Sequence, residues 1–434
     1  MGSTGKSIAN FFKYKEFNIF FWDDNEKKLD NVKAPFYKYS NEGLSKFKCI
    51  YVSPGINKNH RIIKKALEKN IRVSSDLEIF LEYIKKLKTK NKILAITGTN
   101  GKSSIALMIA EALNLKPLAN FGNLVLENFP KKNEEIILEL SSYQLEYITF
   151  LKPKISVISN VKEDHLSYHG SFNNYFLSKT KISKYQNKND YLILNRDDPN
   201  LHSHYNGNSN RNVQIIWVSS KNKIERGIYF INNKLVDNFF NNSEYIISKN
   251  TTLEKNHNKL NFAISYAALM SLGLKSKAII KSLINFKGLP HRMEHIGDLN
   301  DIDFYNDSKA TNVSATCAAL ENFKKVFLIA GGSKKGGNFN KLADFSENVY
   351  EAYLVGETAL DIKKVLEKYC KIFICSNLED AVKKSYEKSL NTKKKYPILL
   401  SPACASFDRY ENFESRGMHF KNIFNKLSSG NYNE

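Results

Sequence analysis

The chain has 434 residues, 42% of them hydrophobic, enough for two to four domains with separate cores. No apolar run approaches the ~18 residues of a membrane span, and the N-terminus lacks the apolar stretch and cleavage site of a secretory signal. The net charge of +21 comes from lysines spread along the whole sequence, with no coherent basic face; this argues against nucleic-acid binding and leaves a field that gathers anionic substrates.

Residues 1–86 read as a small α/β unit, with strands at Phe17–Trp22 and Cys49–Val52 and helices at Arg61–Asn70 and Asp76–Leu87. The chain starts almost at a Gly-containing turn, so a first strand is expected either to be missing or to lie upstream. Lys88–Lys92 is a polar linker. Strands follow at Ile93–Thr97, Glu135–Leu140, Ile155–Asn160, Tyr191–Asn195 and Ile215–Val218, then a hairpin over Gly227–Asn238 and a helix over Lys255–Leu272. From about residue 288 the pattern restarts. Strands at Lys325–Ala330, Ala352–Val355, Lys371–Cys375 and Tyr396–Leu400 alternate with helices at Val313–Phe323, Ile362–Tyr369, Leu378–Leu390 and Phe413–Leu427. Such alternation predicts an α/β fold of parallel sheets covered by helices, with ligands beyond the carboxyl ends of the strands. Three domains are expected: a Rossmann-like one at 1–86, a central P-loop ATPase domain at 87–288, and a second Rossmann-like one at 289–434. Five scattered cysteines (49, 317, 370, 375, 404) without a Cys-x-x-Cys pair point to a reducing cytoplasm.

The most specific motif is Gly98-Thr99-Asn100-Gly101-Lys102-Ser103-Ser104, placed between an apolar strand and the helical run Ile105–Leu113. Backbone N–H groups of such a turn face an anion, the lysine reaches it, and a hydroxyl holds Mg²⁺. The turn is shorter than the common P-loop, since the position five before the Gly-Lys pair is Ile96. Thr4-Gly5-Lys6-Ser7 has similar letters but no preceding strand, and is not expected to bind ATP.

Other polar runs fall at predicted strand ends. Glu139 closes an apolar strand, where either a Mg²⁺ ligand or an ordinary acid would sit. Asp164, His165 and His169 cluster after Asn160, as a metal or phosphate site would. Locally, Lys179 is one lysine among many. His291-Arg292-Met293-Glu294, Asn306–Asn312, Gly331–Gly337 and Ser401–Ser406 are loops suited to ligand contact. Cys404 has no evident histidine partner, so it does not read as a nucleophile.

Taken together these runs resemble the Mur ligase family of peptidoglycan synthesis. Glu139–Glu146, Asn306–Asn312 and Leu400–Ser406 continuing through Phe413–Gly417 resemble its D-glutamate-adding branch. The resemblance implies ATP-dependent joining of D-glutamate to UDP-N-acetylmuramoyl-L-alanine through an acyl phosphate, by a cytoplasmic monomer that spans no membrane. By position, Lys102 and Ser103 would bind phosphates and a first Mg²⁺, which Glu139 also serves; His165 would bind a second. Lys179 matches a carbamylated lysine whose added carboxylate ligates or supports that metal. Asn258, Asn261, Arg292 and Asp307 would contact the nucleotide. Lys309, Thr311, Lys335 (rather than Lys334), Ser406 and Phe413 match the D-glutamate pocket. Ser53, Pro54, Gly55, Gly122 and Asn123 match contacts to the UDP-sugar.

Overall fold

The structure, a computed structural model, describes residues 2–13, 18–24, 43–87, 89–207, 212–247, 256–286, 288–333 and 338–430. Lys334, Lys335 and the start of the expected Phe17–Trp22 strand lie outside these residues; the described part of that segment forms no strand. The chain divides into two compact units, Met1–Phe286 and Lys287–Glu434.

The first unit is built on a nine-stranded sheet. Its order is Ser243–Ile246, Lys234–Asp237, Gly227–Ile231, Gln214–Ser219, Tyr191–Asn195, Ile155–Ile158, Ile93–Thr97, Ile136–Glu139, Leu118–Ala119. The strands from Leu118 through Ile231 pair in parallel, and the last two turn back antiparallel as the expected hairpin extended by one strand. Its central strands are near-continuous runs of Ile, Leu and Val because both faces are covered. On one face lies the helix Asn256–Ser271, whose residues Phe262, Ala263, Ile264, Tyr266, Ala267, Ala268 and Leu269 are all fully buried. A helix that is apolar all round belongs inside.

The N-terminal segment adds a parallel pair, Cys49–Tyr51 with Arg72–Ser74. The helix Asp76–Lys86 starts on a Ser75 cap and buries Leu77, Ile79, Phe80 and Ile84 in the same core as Leu126 and Leu138. Residues on both sides of the expected 86/87 boundary therefore share one core. Thr4-Gly5-Lys6-Ser7 lies inside the helix Ser3–Phe12. Among the described residues no strand leads into it, so it lacks the strand–turn–helix order of a phosphate loop; its first amide bonded within the helix is that of Lys6, to the Gly2 carbonyl.

The second unit holds a six-stranded sheet in the order Glu294–Leu299, Ile302–Asn306, Ile398–Leu400, Val326–Ala330, Val349–Leu354, Lys371–Ile374. Only the first strand pairs antiparallel, and it bulges between His295 and Gly297. Gly297 is needed there: a Cβ would lie 2.6 Å from the Phe424 ring. Helices Val313–Leu320, Leu378–Leu390 and Phe413–Ser428 start on Asn312, Asn377 and Asn412, each accepting from the amide three residues on. The parallel strands end at the loops holding Asp307, Gly331 and Ser401, so polar loops gather at one edge.

Candidate active site

The phosphate loop leaves the strand Ile93–Thr97 and enters the helix Lys102–Leu113 through Gly101, whose φ is +84°. Gly98 has no substitute: its φ is +149°, and a Cβ would sit 2.0 Å from Ser159 Oγ. The neighbouring strand end braces the turn. Asn160 accepts from the Thr99 amide through its carbonyl (2.8 Å) and from the Asn100 amide through its side chain (2.9 Å). Ser159 Oγ donates to the Asn100 carbonyl at 2.6 Å. Lys102 Nζ lies back over its own loop, donating to the carbonyls of Gly98 (2.9 Å) and Thr99 (3.0 Å). Ser103 is buried at the helix start and Ser104 is half-buried. Asn261, also buried, faces the loop, with its Oδ1 2.7 Å from where a Gly101 Cβ would be; Asn258 is half-buried one turn earlier on the same helix.

Lys179, only 2% exposed, reaches the same carbonyl as Lys102: its Nζ donates to Gly98 O at 2.9 Å. Its ammonium lies 4.6 Å from the centre of the Tyr175 ring, and the Tyr175 hydroxyl bonds Thr99 Oγ1 at 3.0 Å. Burial and then the charge of Lys102 pull the Lys179 pKa down to about 7, against a smaller opposing pull from Asp164. A buried amine that is half neutral at physiological pH is a nucleophile rather than a fixed cation.

Glu139 ends its strand opposite Ile96, two residues before Gly98. One carboxylate oxygen accepts from Asn120 Nδ2 at 2.7 Å, while Oε2 is buried with no hydrogen-bond partner. An orphaned buried carboxylate oxygen is costly unless a cation faces it, so the donor set of Ser103 and Glu139 fits Mg²⁺ beside a phosphate loop. His165 stands at the start of a short helical turn with φ +53°, exposed, its ring 4.9 Å from Tyr143. Among the described residues no three His, Cys, Asp or Glu side chains gather as a metal cluster. His169 departs from the expected metal or phosphate cluster: it is buried and its Nε2 lies 3.0 Å from Ser142 Oγ, because its short helix turns that ring inward.

Ser53, Pro54 and Gly55 follow the strand Cys49–Tyr51 and lie at least partly open. Gly122 is exposed with φ +120°, and Asn123 Nδ2 is bound to the Pro117 carbonyl at 2.7 Å.

In the second unit, Asp307 is buried, its two oxygens accepting from the Met293 amide (3.1 Å) and Ser401 Oγ (2.8 Å). Arg292 is exposed beside the buried His291. Lys309 Nζ lies 5.4 Å from the Phe413 ring centre, Thr311 is exposed, and Ser406 is buried. The organiser of this edge is Arg416, which lies in the Phe413–Gly417 run but carries no assigned role there. Its Nε donates to Ser308 Oγ (2.9 Å), and its Nη2 to the carbonyls of Ser308 (2.8 Å) and Cys404 (3.1 Å). Burial lowers its pKa to about 10. Cys404 is buried against Thr358 Oγ1 at 3.1 Å, and burial pushes its thiol pKa up, so it is no nucleophile. Ser159 and Asn120 carried no signal in the sequence, and Arg416 only that of its run, because each acts through a contact distant along the chain.

Comparison with known proteins places these units. Residues 1–75 match the Mur ligase MurD-like N-terminal domain, 96–269 the Mur ligase middle domain, and 291–404 the Mur ligase glutamate ligase domain. A UDP-N-acetylmuramoylalanine–D-glutamate ligase of Rickettsia bellii is 33% identical over 98% of this chain and 96% of its own length. The enzyme of that name from Natranaerobius thermophilus is 35% identical, covering 92% of this chain and 89% of its own. Among solved structures, UDP-N-acetylmuramate-alanine ligase MurC of Thermotoga maritima aligns with TM-score 0.58 at 16% identity, over 97% of this chain and 96% of that one. The MurF ligase of Thermotoga maritima in complex with ADP aligns with TM-score 0.57 at 15% identity, over 90% and 100%.

Proposed function

This chain belongs to the Mur ligase family, and from that premise we propose that it joins D-glutamate to UDP-N-acetylmuramoyl-L-alanine at the expense of ATP. The reaction fits an ATP-dependent, amide-forming ligase of peptidoglycan synthesis. The substrate carboxylate attacks the γ-phosphorus and ADP leaves; the amine of D-glutamate then attacks the acyl carbon and phosphate departs. A carboxylate is a poor electrophile, which is why a phosphate leaving group is required.

In this reading residues 1–86 hold the UDP-sugar through Ser53–Gly55, residues 87–288 hold ATP and the Gly122–Asn123 contact, and residues 289–434 hold D-glutamate. Lys102 swings from the Gly98 carbonyl to the transferred phosphate. Asn258, Asn261, Arg292 and Asp307 contact the nucleotide, and Lys309, Thr311, Lys335, Ser406 and Phe413 the amino acid. Ser103 and Glu139 hold a first Mg²⁺; His165 and a carbamylated Lys179 hold a second. Mg²⁺ offsets the repulsion between two anions brought into contact. The lowered pKa of Lys179 supports the carbamate, since only the neutral amine adds CO₂.

The observation that carries the reading is the convergence of the phosphate loop, two lysines on one carbonyl and the orphaned Glu139 oxygen within one unit. The reading takes the chain as a cytoplasmic monomer; its five free cysteines fit a reducing compartment. No helix among the described residues is long and apolar enough to cross a membrane. The test is phosphate release from ATP with UDP-N-acetylmuramoyl-L-alanine, with and without D-glutamate. Release that requires D-glutamate and yields the UDP-sugar dipeptide is expected; release indifferent to D-glutamate, or driven by another amino acid, would overturn the assignment.

A further inference from the structure

Glu139, His165 and Lys179 stand on three separate segments, and one buried histidine touches all three segments. His169 Nε2 lies 3.0 Å from the hydroxyl of Ser142, three residues beyond Glu139. One face of its ring stacks on Tyr143, 5.9 Å away with 15° between planes, and Tyr143 in turn lies 4.9 Å from the His165 ring. The His169 ring also lies 5.3 Å from that of Tyr175, whose centre Lys179 Nζ approaches to 4.6 Å. Its carbonyl accepts from Asn174 Nδ2 at 2.9 Å, fixing it to the helix that carries Lys179.

These contacts form a closed frame. Moving the Glu139 strand end relative to the helix Phe172–Thr180 would break the Ser142 bond or open a gap beside Tyr143. Rotating the His165 turn would unstack Tyr143 from either imidazole. Burial holds the His169 pKa below its ordinary value, so the ring adds no positive charge beside the lysines. A neutral imidazole can still bond the Ser142 hydroxyl through Nε2.

We propose that His169 is a positioning residue for the reaction, setting the spacing of Glu139, His165 and Lys179 and thereby the affinity of this site for its divalent cations. The proposal rests on those three residues serving the metals. Groups bonded directly to metal ligands typically contribute about tenfold or more to affinity; His169 acts one contact further out, through Ser142, Tyr143 and Tyr175, so about tenfold is the upper end of the effect.

The test is Mn²⁺ binding to the full chain with ADP, read from the free Mn²⁺ signal in electron paramagnetic resonance, beside phosphate release at varied Mg²⁺ and D-glutamate. His169→Ala is expected to weaken Mn²⁺ binding measurably, by up to about tenfold, and to raise the Mg²⁺ needed for half-activity, leaving the KM for D-glutamate unchanged. His169→Gln, whose amide can reach Ser142, should recover most of the loss. Ser142→Ala removes the bond from the other side and carries the test if His169→Ala does not fold. His165→Ala is the control. If it binds Mn²⁺ as the unaltered chain does, the metal assignment itself fails. If His165→Ala is weakened while the folded His169→Ala or Ser142→Ala keeps full affinity, the positioning role alone is overturned.

Discussion

At the scale of single residues, Lys179 and Gly98 meet at one carbonyl and make separate predictions. Lys179→Ala should abolish ligation, and millimolar bicarbonate or a short-chain carboxylic acid should partly restore it. Full activity in that variant would refute the carbamate. Because burial and Lys102 lower the Lys179 pKa to about 7, the neutral amine grows from a minor fraction at pH 6 to nearly all at pH 8. The rate at which CO₂ reactivates a CO₂-stripped enzyme should therefore climb over that interval and then level off, measured at fixed dissolved CO₂; an ordinary lysine would keep climbing beyond pH 9. Gly98→Ala would force a Cβ to 2.0 Å from Ser159 Oγ in a backbone conformation alanine disfavours. A stability loss of about 2–3 kcal/mol by urea unfolding is expected, with loss of ATP turnover.

At the scale of elements, the parallel strands and their helices were legible because hydrophobic runs and caps are local. Tyr191–Asn195 and Leu378–Leu390 fall where their composition puts them. Ser243–Ile246 was not legible: it is a short edge strand with alternating exposure, and only its pairing to Lys234–Asp237 defines it. The helix Ser276–Ile284 likewise followed too closely on a longer one to be separated by pattern. The phosphate loop was legible in full, since strand, turn and helix are contiguous. The role proposed for Lys179 comes only from family resemblance, because its burial is created by elements far apart in sequence. Arg416 is the sharpest case. It joins the loop after Ile302–Asn306, the loop after Ile398–Leu400 and the start of the last helix, and its side-chain hydrogen bonds all reach residues more than ten positions away. Arg416→Met should cost about 3 kcal/mol or more, since several carbonyls and a hydroxyl lose a charged donor at once. The loss should appear in the unfolding of residues 287–434, and KM for D-glutamate should rise with it.

At the scale of the whole molecule, two compact units imply two cooperative unfolding events. The phosphate loop, Glu139, His165, Lys179 and Asn261 all belong to the first unit, so Mg·ADP at 100 times its Kd should raise that transition by about 2.7 kcal/mol. Calorimetry in which ADP moves only the transition of residues 287–434 would contradict this division of labour. The phosphate loop and the assigned amino-acid pocket thus draw their stability from different cores.

The brace on the phosphate loop has a kinetic meaning as well. Asn160 and Ser159 hold the turn in shape by hydrogen bonds internal to the protein, without help from the lysine side chain that has to move. Nucleotide therefore meets a finished receptor and need not wait for a loop to order itself. Its arrival should be limited by encounter, and a chain with net charge +21 draws anions in from a distance. Stopped-flow association of a fluorescent ATP analogue should be fast and should slow steeply as salt is added, whereas a loop that had to fold around its ligand would give a rate set by that folding and nearly blind to ionic strength.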